Sequence, residues 1–337
     1  MNAKVEEDRS SNKPPLVGPI MSTGEMSTGQ TVLGCQTTDK TVITLFIILV
    51  LLCLVAGVGN GFIVIALGMK CLLQRTLSAH NKLLISLAAS RFCLQCVVIG
   101  KNTYLFLNPT SFPYNPAMQV LNFMWDFLTA ATIWFCSLLG FFYCVKISTI
   151  THPVFVWLKY RLPGWVPWML LSAVGMSSLT SILCFIGNYI IYQNYVRSGH
   201  QPWNVTGNSL RHSLEKFYFV SIKIIMWTIP TAIFSVFMSL LLISLVRHMK
   251  KTFLALSELR DVWGQAHFKA LLPLLSFIVL FISCFLTLVL SSASDTRFQE
   301  FRYWMWQVVI HLCTVIHPIV MLCSNPVLRV VMKRACC

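Results

Sequence analysis

The stretch LLGFFYCVKISTITHPVFVWLKYR, from Leu138 to Arg161, changes character at Lys146. Before Lys146 almost every residue is apolar or aromatic, as in a helix that lies in hydrocarbon. After it come polar residues, then Pro153, and then aromatic residues mixed with Lys159 and Arg161. Aromatic and cationic side chains together are typical of the boundary between a bilayer and water. The stretch therefore predicts a membrane-spanning helix that ends near Lys146, followed by a basic loop along the membrane surface.

The composition of the whole chain also indicates a membrane protein. Of its 337 residues, 56% are hydrophobic and only 11% are charged, and the mean hydropathy is +0.71. An average soluble domain has about 25% charged residues. A net charge of +15 would suggest a nucleic-acid partner in a soluble protein. Here the basic residues lie between apolar runs, so we expect them to face membrane lipid and a cytosolic partner, and no nucleic-acid partner is predicted.

Seven stretches reach the roughly 20 apolar residues that a helix needs to cross hydrocarbon. They are 41–69, 81–106, 118–146, 165–191, 217–246, 267–291 and 302–325. The predicted fold is therefore an all-α membrane protein, a seven-transmembrane helix bundle over residues 41–325. Residues 1–40 are polar and predict a disordered tail, and 326–337 form a short second tail. The starting methionine is open between Met1, Met21 and Met26.

Two signals predict the orientation of the bundle. If the amino terminus is extracellular and the carboxyl terminus is cytoplasmic, the cytoplasmic segments contain more Lys and Arg than the extracellular ones, as is usual in membrane proteins. The acceptor sequence Asn204-Val205-Thr206 then falls in the extracellular loop between the fourth and fifth spans. We therefore expect a glycan on Asn204.

Arg91 is a basic residue inside the second span. It lies ten residues from the inner end of that span, roughly 15 Å by helix rise and so near the middle of the membrane. The inner halves of the spans contain no carboxylate, so its expected partners are neutral: Asn60 in the first span, and Ser324 or Asn325 in the seventh. Intramembrane charges are costly and are usually paired or functional. The group is either a structural polar network or a conformational latch.

Asp126 is the single acid within the predicted spans and lies about 13 Å below the outer end of span three. Aromatic and polar side chains from spans three and seven reach the same depth, as in a cavity that binds small molecules. The alternative is internal pairing of Asp126 with Lys223 or Lys101. The candidate ligand-binding residues are Trp125, Asp126, Thr129, Lys223, Cys284 and Gln307.

No group of residues predicts catalysis or metal binding. His311 and His317 are six positions apart with no nearby acid, whereas a helical metal pair prefers a spacing of three or four. Neither a metal nor a cofactor is predicted, and the chain is not expected to be an enzyme.

Several short motifs match one receptor family. They are Phe142-Tyr143, Lys146-Ile147, the run from Phe155 to Lys159, Leu87-Ala88-Ala89-Ser90-Arg91, and His317 followed by Asn325 and Leu328. In these motifs the chain resembles the bitter taste receptors, taste receptor type 2, from about residue 41 to its end. Thr129 departs from the asparagine that many members have.

The resemblance implies a plasma-membrane G protein-coupled receptor for small bitter molecules. It implies that Trp125 and Gln307 line the agonist pocket and that the partner is a gustducin-type G protein. That protein would dock on inner loops 146–164 and 247–269. The expected coupling residues are Tyr143, Lys146, Lys159, Arg161, His248, His267 and Lys269.

Other interpretations stay open at the level of the sequence. A small secondary transporter or a non-gustatory chemosensory receptor would have a similar hydropathy profile, although no repeat relates the two halves and carboxylates are scarce in the spans. Cys336 and Cys337 follow basic residues and are candidates for palmitoylation, with an unmodified tail as the alternative. The oligomeric state is open.

Overall fold

The computed structural model describes residues 25–74, 78–108, 115–147, 153–197, 209–255, 275–279, 281–282, 285–286 and 301–324. The regular structure in these ranges is helical throughout, as predicted. The main helices are α1 (Glu25–Gln74), α2 (Ala79–Leu107), α3 (Pro116–Ile147), α4 (Pro153–Arg197), α5 (Ser209–Ala255) and α7 (Phe301–Ser324). Between α5 and α7, the helical residues at 275–279, 281–282 and 285–286 are together called α6.

Six helices in the described part of the chain are long and apolar enough to cross a membrane. The crossing segments are Lys40–Leu73, Ala79–Leu107, Pro116–Ile147, Pro153–Arg197, Ile224–Arg247 and Phe301–Cys323. They correspond to six of the seven predicted spans. The predicted span 267–291 is described only at α6. Large apolar side chains such as Leu54, Val58 and Ile65 are at least half exposed on α1, as expected of surfaces that face lipid.

Helix α4 begins twelve residues earlier than predicted. The predicted loop over 146–164 is wrong for residues 153–164, which form about three helical turns before the predicted start. Pro153 suits the first position of a helix because that position needs no backbone N–H donor. Pro163 and Pro167 lie inside the helix, where membrane proteins tolerate proline. Helix α1 likewise begins at Glu25, within the segment assigned to the tail, and residues 1–24 lie outside the described part.

Polar side chains define the starts of α2 and α3. Ser78 has an extended backbone, and its hydroxyl accepts a hydrogen bond from the backbone N–H of Asn81. The side chain of Asn115 accepts from the backbone N–H of Met118 at 2.9 Å, next to Pro116 at the first helical position. Both are N-caps, which satisfy backbone donors that have no partner in the first turn.

Helix α3 lies at the centre of the bundle and packs against α2, α4 and α5. Its contact with α5 depends on Gly140, because an added Cβ there would lie 3.0 Å from the ring of Phe234 and 3.2 Å from the sulfur of Met238. The Phe234 ring stacks on Phe281 of α6 at 3.9 Å between centroids. The absence of a side chain at Gly140 therefore allows an aromatic core to form in the half of the bundle that the sequence predicts to face the cytoplasm, which is called the inner half; the opposite half is called the outer half.

A second core lies nearer the outer ends of α1, α2 and α7. Trp304 is buried there, and the Phe46 and Phe106 rings stack at 4.4 Å. Helices α1 and α7 also approach closely at Gly59, where an added Cβ would lie 3.1 Å from Pro318. These contacts fix α7 against α1 and α2 and so position the polar residues described next.

Candidate functional site

Polar side chains of α2, α3 and α7 meet in the outer half of the bundle. The Lys101 Nζ atom lies 4.8 Å from the centroid of the Trp125 ring, which is a cation–π contact. The Tyr303 hydroxyl donates a hydrogen bond to Asn102 Oδ1 at 3.0 Å, and Asn102 Nδ2 donates to the Val98 carbonyl at 2.9 Å. Lys101 and Asn102 are neighbours on α2, and they contact α3 and α7, respectively.

The predicted ligand-binding residues of α3 and α7 line this region. Trp125 and Gln307 are half-buried, whereas Asp126 and Thr129 are each 5% exposed. The backbone carbonyl oxygen of Gln307 lies 2.7 Å from Nδ1 of His311, and the His311 side chain is buried. Lys101, one of the alternative partners considered for Asp126, is placed over the Trp125 ring.

Thr129 adds an uncommon feature to this region. Its hydroxyl oxygen is buried, and within the described part of the chain it has no hydrogen-bond partner. A buried hydroxyl without a partner costs about 1–3 kcal/mol relative to a hydrogen-bonded one. Thr129 follows Trp125 by one helical turn, so the two side chains share a face of α3.

Two further predicted ligand residues have no described side chain. Lys223 lies within α5, but the structure does not describe its side chain. Cys284 lies outside the described residues. The same applies to the modification sites Asn204, Cys336 and Cys337. Within the described ranges, no three His, Cys, Asp or Glu residues gather closely enough to hold a metal ion.

A hydrogen-bond network joins α2, α3 and α7 in the middle of the bundle. The Arg91 guanidinium donates to His317 Nδ1 at 3.0 Å and to the Cys136 sulfur at 3.4 Å, and Arg91 and His317 are both buried. Because arginine has no acceptor, Nδ1 of His317 must be unprotonated, and the ring is neutral. The His317 ring also lies 5.2 Å from the Phe277 ring of α6.

The expected partners of Arg91 need a correction. Asn60 is buried, but its Nδ2 donates to the Ala56 carbonyl of its own helix at 2.7 Å, and Arg91 bonds to other residues. The partners that the structure shows are neutral, as the scarcity of carboxylates predicted. The side chain of Ser324 and the whole of Asn325 lie outside the described residues.

A third link lies at the inner ends of α2 and α3. The Tyr143 hydroxyl and His80 Nε2 are 3.0 Å apart, and their rings are 5.5 Å apart. His80 was not predicted from the sequence. Its one local signal is its position beside the Ser78 cap, in the first turn of a membrane helix.

The other predicted coupling residues are placed to different extents. Lys146 is half-buried in the last turn of α3, and Lys159 and Arg161 are exposed in the first turns of α4. His248 lies in α5 without a described side chain. His267 and Lys269 lie outside the described residues. The three placed cations lie near the junction of α3 and α4.

Comparison with known proteins gives a consistent result. A sequence model of the taste receptor protein (TAS2R) family matches residues 38–337. The chain is 88% identical to "Taste receptor type 2 member 135" of Rattus norvegicus over 321 residues, which is 95% of this chain and 100% of the relative. It is 90% identical to the Mus musculus protein of the same name over 312 residues, 93% of this chain and 100% of the relative. It is also 57% identical to "Taste receptor type 2 member 60" of Homo sapiens, over 90% of this chain and 95% of the relative.

Proposed function

Since the chain belongs to the taste receptor protein (TAS2R) family of bitter taste receptors, we propose that small bitter molecules bind in the outer half of its helix bundle and activate a gustducin-type G protein inside the cell. The observation that carries the receptor class is the match over residues 38–337. Members of this family are G protein-coupled receptors and not enzymes. We place the receptor in the plasma membrane with its amino terminus extracellular.

The outer half of α3 offers suitable chemistry for such a ligand. Trp125 provides a large aromatic face, and the Thr129 hydroxyl one turn away is a buried polar group available to a ligand oxygen or nitrogen. Gln307 supplies a half-buried amide from α7. An apolar cavity with a few polar groups of this kind is typical of small-molecule sites.

The signal would pass along α3 through contacts at three depths. Trp125 lies near the proposed ligand, Cys136 contacts Arg91 in the middle, and Tyr143 contacts His80 at the inner end. A ligand that binds one arrangement of α2, α3 and α7 more tightly shifts the population toward it. Because these contacts are discrete hydrogen bonds, a small movement of α3 would break or form them rather than stretch them.

The inner surface near the α3–α4 junction would form part of the docking site for the G protein. Lys146, Lys159 and Arg161 give this surface a positive charge. Basic surface residues attract an acidic partner and also anionic inner-leaflet lipid. The first turns of α4 would thus form part of the docking surface that the sequence predicts for the inner loop 146–164.

The proposal is tested by a calcium-release screen of bitter compounds. Cells expressing the full chain together with a promiscuous G protein should respond to at least one compound, and cells without the receptor should not. Receptor that reaches the cell surface but gives no response across a broad bitter library would contradict the proposed function.

Tyr143→Phe is expected to raise ligand-independent signalling about fivefold. The change removes a single neutral hydrogen bond between α2 and α3, which contributes about 1 kcal/mol in a typical protein. Basal nucleotide exchange on the G protein measures the effect. Tyr160→Phe is a matched control, because Tyr160 is 83% exposed on α4. Equal basal exchange in the two variants would show that the Tyr143–His80 contact does not hold the inactive state.

A further inference from the structure

Lys101 places a positive charge in the outer half of the bundle, beside the proposed agonist pocket. It lies six residues before Leu107, the last residue of α2, which is roughly 9 Å by helix rise. Its Nζ atom lies 4.8 Å from the centroid of the Trp125 ring. Charged side chains within membrane-spanning helices are costly, and they often mark a functional site. Lys101 is therefore a candidate for a direct role in ligand binding.

A ligand can reach both members of this cation–π pair. The Lys101 and Trp125 side chains are each half-buried, so both keep surface that another molecule can contact. The ring attracts the ammonium group but does not neutralise its charge. An ammonium group also has three N–H donors, so it can lie over the ring and still donate a hydrogen bond to a ligand. The pair thus presents an aromatic face and a positive charge side by side.

The acid in this region offers much less surface to a ligand. Asp126 is 5% exposed, whereas Lys101 is half-buried. Asp126 also follows Trp125 directly in α3, so the two side chains leave the helix about 100° apart. Among the described residues, the charge that a molecule on the Trp125 face meets is therefore the ammonium group of Lys101 rather than the carboxylate of Asp126. This arrangement favours an anionic ligand over a cationic one.

The contact between α2 and α7 fixes where the charged end of such a ligand lies. Asn102, next to Lys101, is 2% exposed and accepts a hydrogen bond from the Tyr303 hydroxyl at 3.0 Å. Gln307 is four residues after Tyr303 on the same face of α7, about 6 Å further along the helix. A ligand with its charged group at Lys101 can therefore extend past Trp125 and reach Gln307 with its other end.

A charged contact of this kind discriminates between ligands. A hydrogen bond from an ammonium group to a carboxylate or sulfonate is about twice as strong as one between neutral groups. A neutral ligand that covers Lys101 removes water from the ammonium group without an equivalent replacement, and this costs free energy. A cationic ligand adds repulsion between like charges. Both the attraction of the preferred ligands and the rejection of the others therefore depend on one side chain.

We propose that Lys101 determines the charge preference of the receptor, and that the preferred agonists are amphipathic organic anions. The carboxylate or sulfonate group of the agonist bonds to the Lys101 ammonium group. The apolar body of the agonist lies on the Trp125 ring, and a polar atom at its other end reaches Gln307. The preference depends on the proposed function, because it concerns the same outer-half pocket.

Matched acids and esters test this preference on the unsubstituted receptor. Cells that express the full chain with a promiscuous G protein receive a panel of aromatic carboxylic acids, cinnamic and naphthoic acids among them, and the methyl ester of each acid. At neutral pH the acids are anionic and the esters are uncharged, on the same carbon skeleton. The acids are expected to release calcium with about tenfold higher potency than their esters.

Variants of Lys101 separate its charge from its size. Lys101→Met keeps an unbranched side chain without the ammonium group, and it should lower the ratio of acid potency to ester potency about tenfold. Lys101→Gln gives the same comparison if Lys101→Met does not reach the cell surface, and Lys101→Arg should retain most of the ratio because it keeps a cation. Arg302→Met is the matched control, since it removes an exposed cation from the first turn of α7 and should leave the ratio unchanged.

The outcomes distinguish this charge preference from the proposed function itself. Esters at least as potent as their acids, or an acid-to-ester ratio that survives Lys101→Met and Lys101→Gln, would overturn the role of Lys101 and leave the receptor function intact. An equal loss of the ratio in Arg302→Met would indicate a general effect of surface charge and would also overturn that role. Receptor that reaches the cell surface and responds to no acid, ester or other bitter compound would overturn both.

Discussion

Replacing His317 with leucine is expected to destabilise the receptor by about 3 kcal/mol, more than most single substitutions do. His317 Nδ1 accepts a hydrogen bond from Arg91 at 3.0 Å, and both residues are buried, with His317 3% exposed and Arg91 6% exposed. Without this acceptor the guanidinium keeps its charge inside the helix bundle, and the hydrogen-bond acceptor left to it among the described residues is the weak one, the sulfur of Cys136. The loss should appear in thermal unfolding of purified receptor and in reduced surface expression.

The double variant Arg91→Met/His317→Leu separates the hydrogen bond from the buried charge. Removing the charge as well should restore most of the stability, because an apolar pair has no desolvation cost. His311→Leu is a matched control. His311 is also buried, but the hydrogen bond that the described residues give its Nδ1 is to the backbone carbonyl of Gln307 in its own helix, so about 1 kcal/mol is expected. If the double variant is no more stable than His317→Leu, the buried charge is not the cause.

Trp125→Ala is expected to lower agonist potency about 100-fold while surface expression holds. Loss of a buried aromatic contact at a binding site often costs more than 2 kcal/mol, and a 100-fold change corresponds to about 2.7 kcal/mol. Gln307→Ala should lower potency about tenfold, because one polar contact is lost. Concentration–response curves in the calcium assay measure both changes.

Matched controls distinguish ligand contact from a general effect of tryptophan loss. Trp168→Ala removes an indole that is 73% exposed on α4 and should leave potency unchanged. Thr129→Val replaces the buried hydroxyl with a methyl group of similar size and should lower potency only for agonists that carry a polar group. Unchanged potency in both Trp125→Ala and Gln307→Ala, with normal expression, would place the agonist pocket elsewhere.

The spans were predictable because lipid demands apolar side chains over a fixed length. Six of the predicted spans have counterparts in α1 to α5 and α7. The start of α4 was not predictable from hydropathy, since residues 153–164 mix aromatic and basic side chains with two prolines, a pattern that suits a surface loop as well as an interfacial helix. The helix begins at Pro153, whose fixed backbone angle suits the first position of a helix.

The depth of a polar residue was also predictable, but its partner was not. Helix rise placed Arg91 near mid-membrane, and the absence of acids predicted neutral partners. The partner His317 lies 226 residues away along the chain, and the contact depends on how α2 and α7 rotate about their axes. The contact between Tyr143 and His80, which are 63 residues apart along the chain, was not predictable for the same reason.

The most direct test of ligand-driven G protein activation is nucleotide exchange with purified components. The full chain is reconstituted in vesicles with a gustducin-type G protein and an agonist identified by the calcium screen. Agonist-dependent acceleration of exchange is expected with the receptor, and it should be absent from vesicles without receptor and strongly reduced with Trp125→Ala. Exchange that does not respond to agonist, together with accumulation of the compound inside the vesicles, would contradict the receptor mechanism and indicate a transporter.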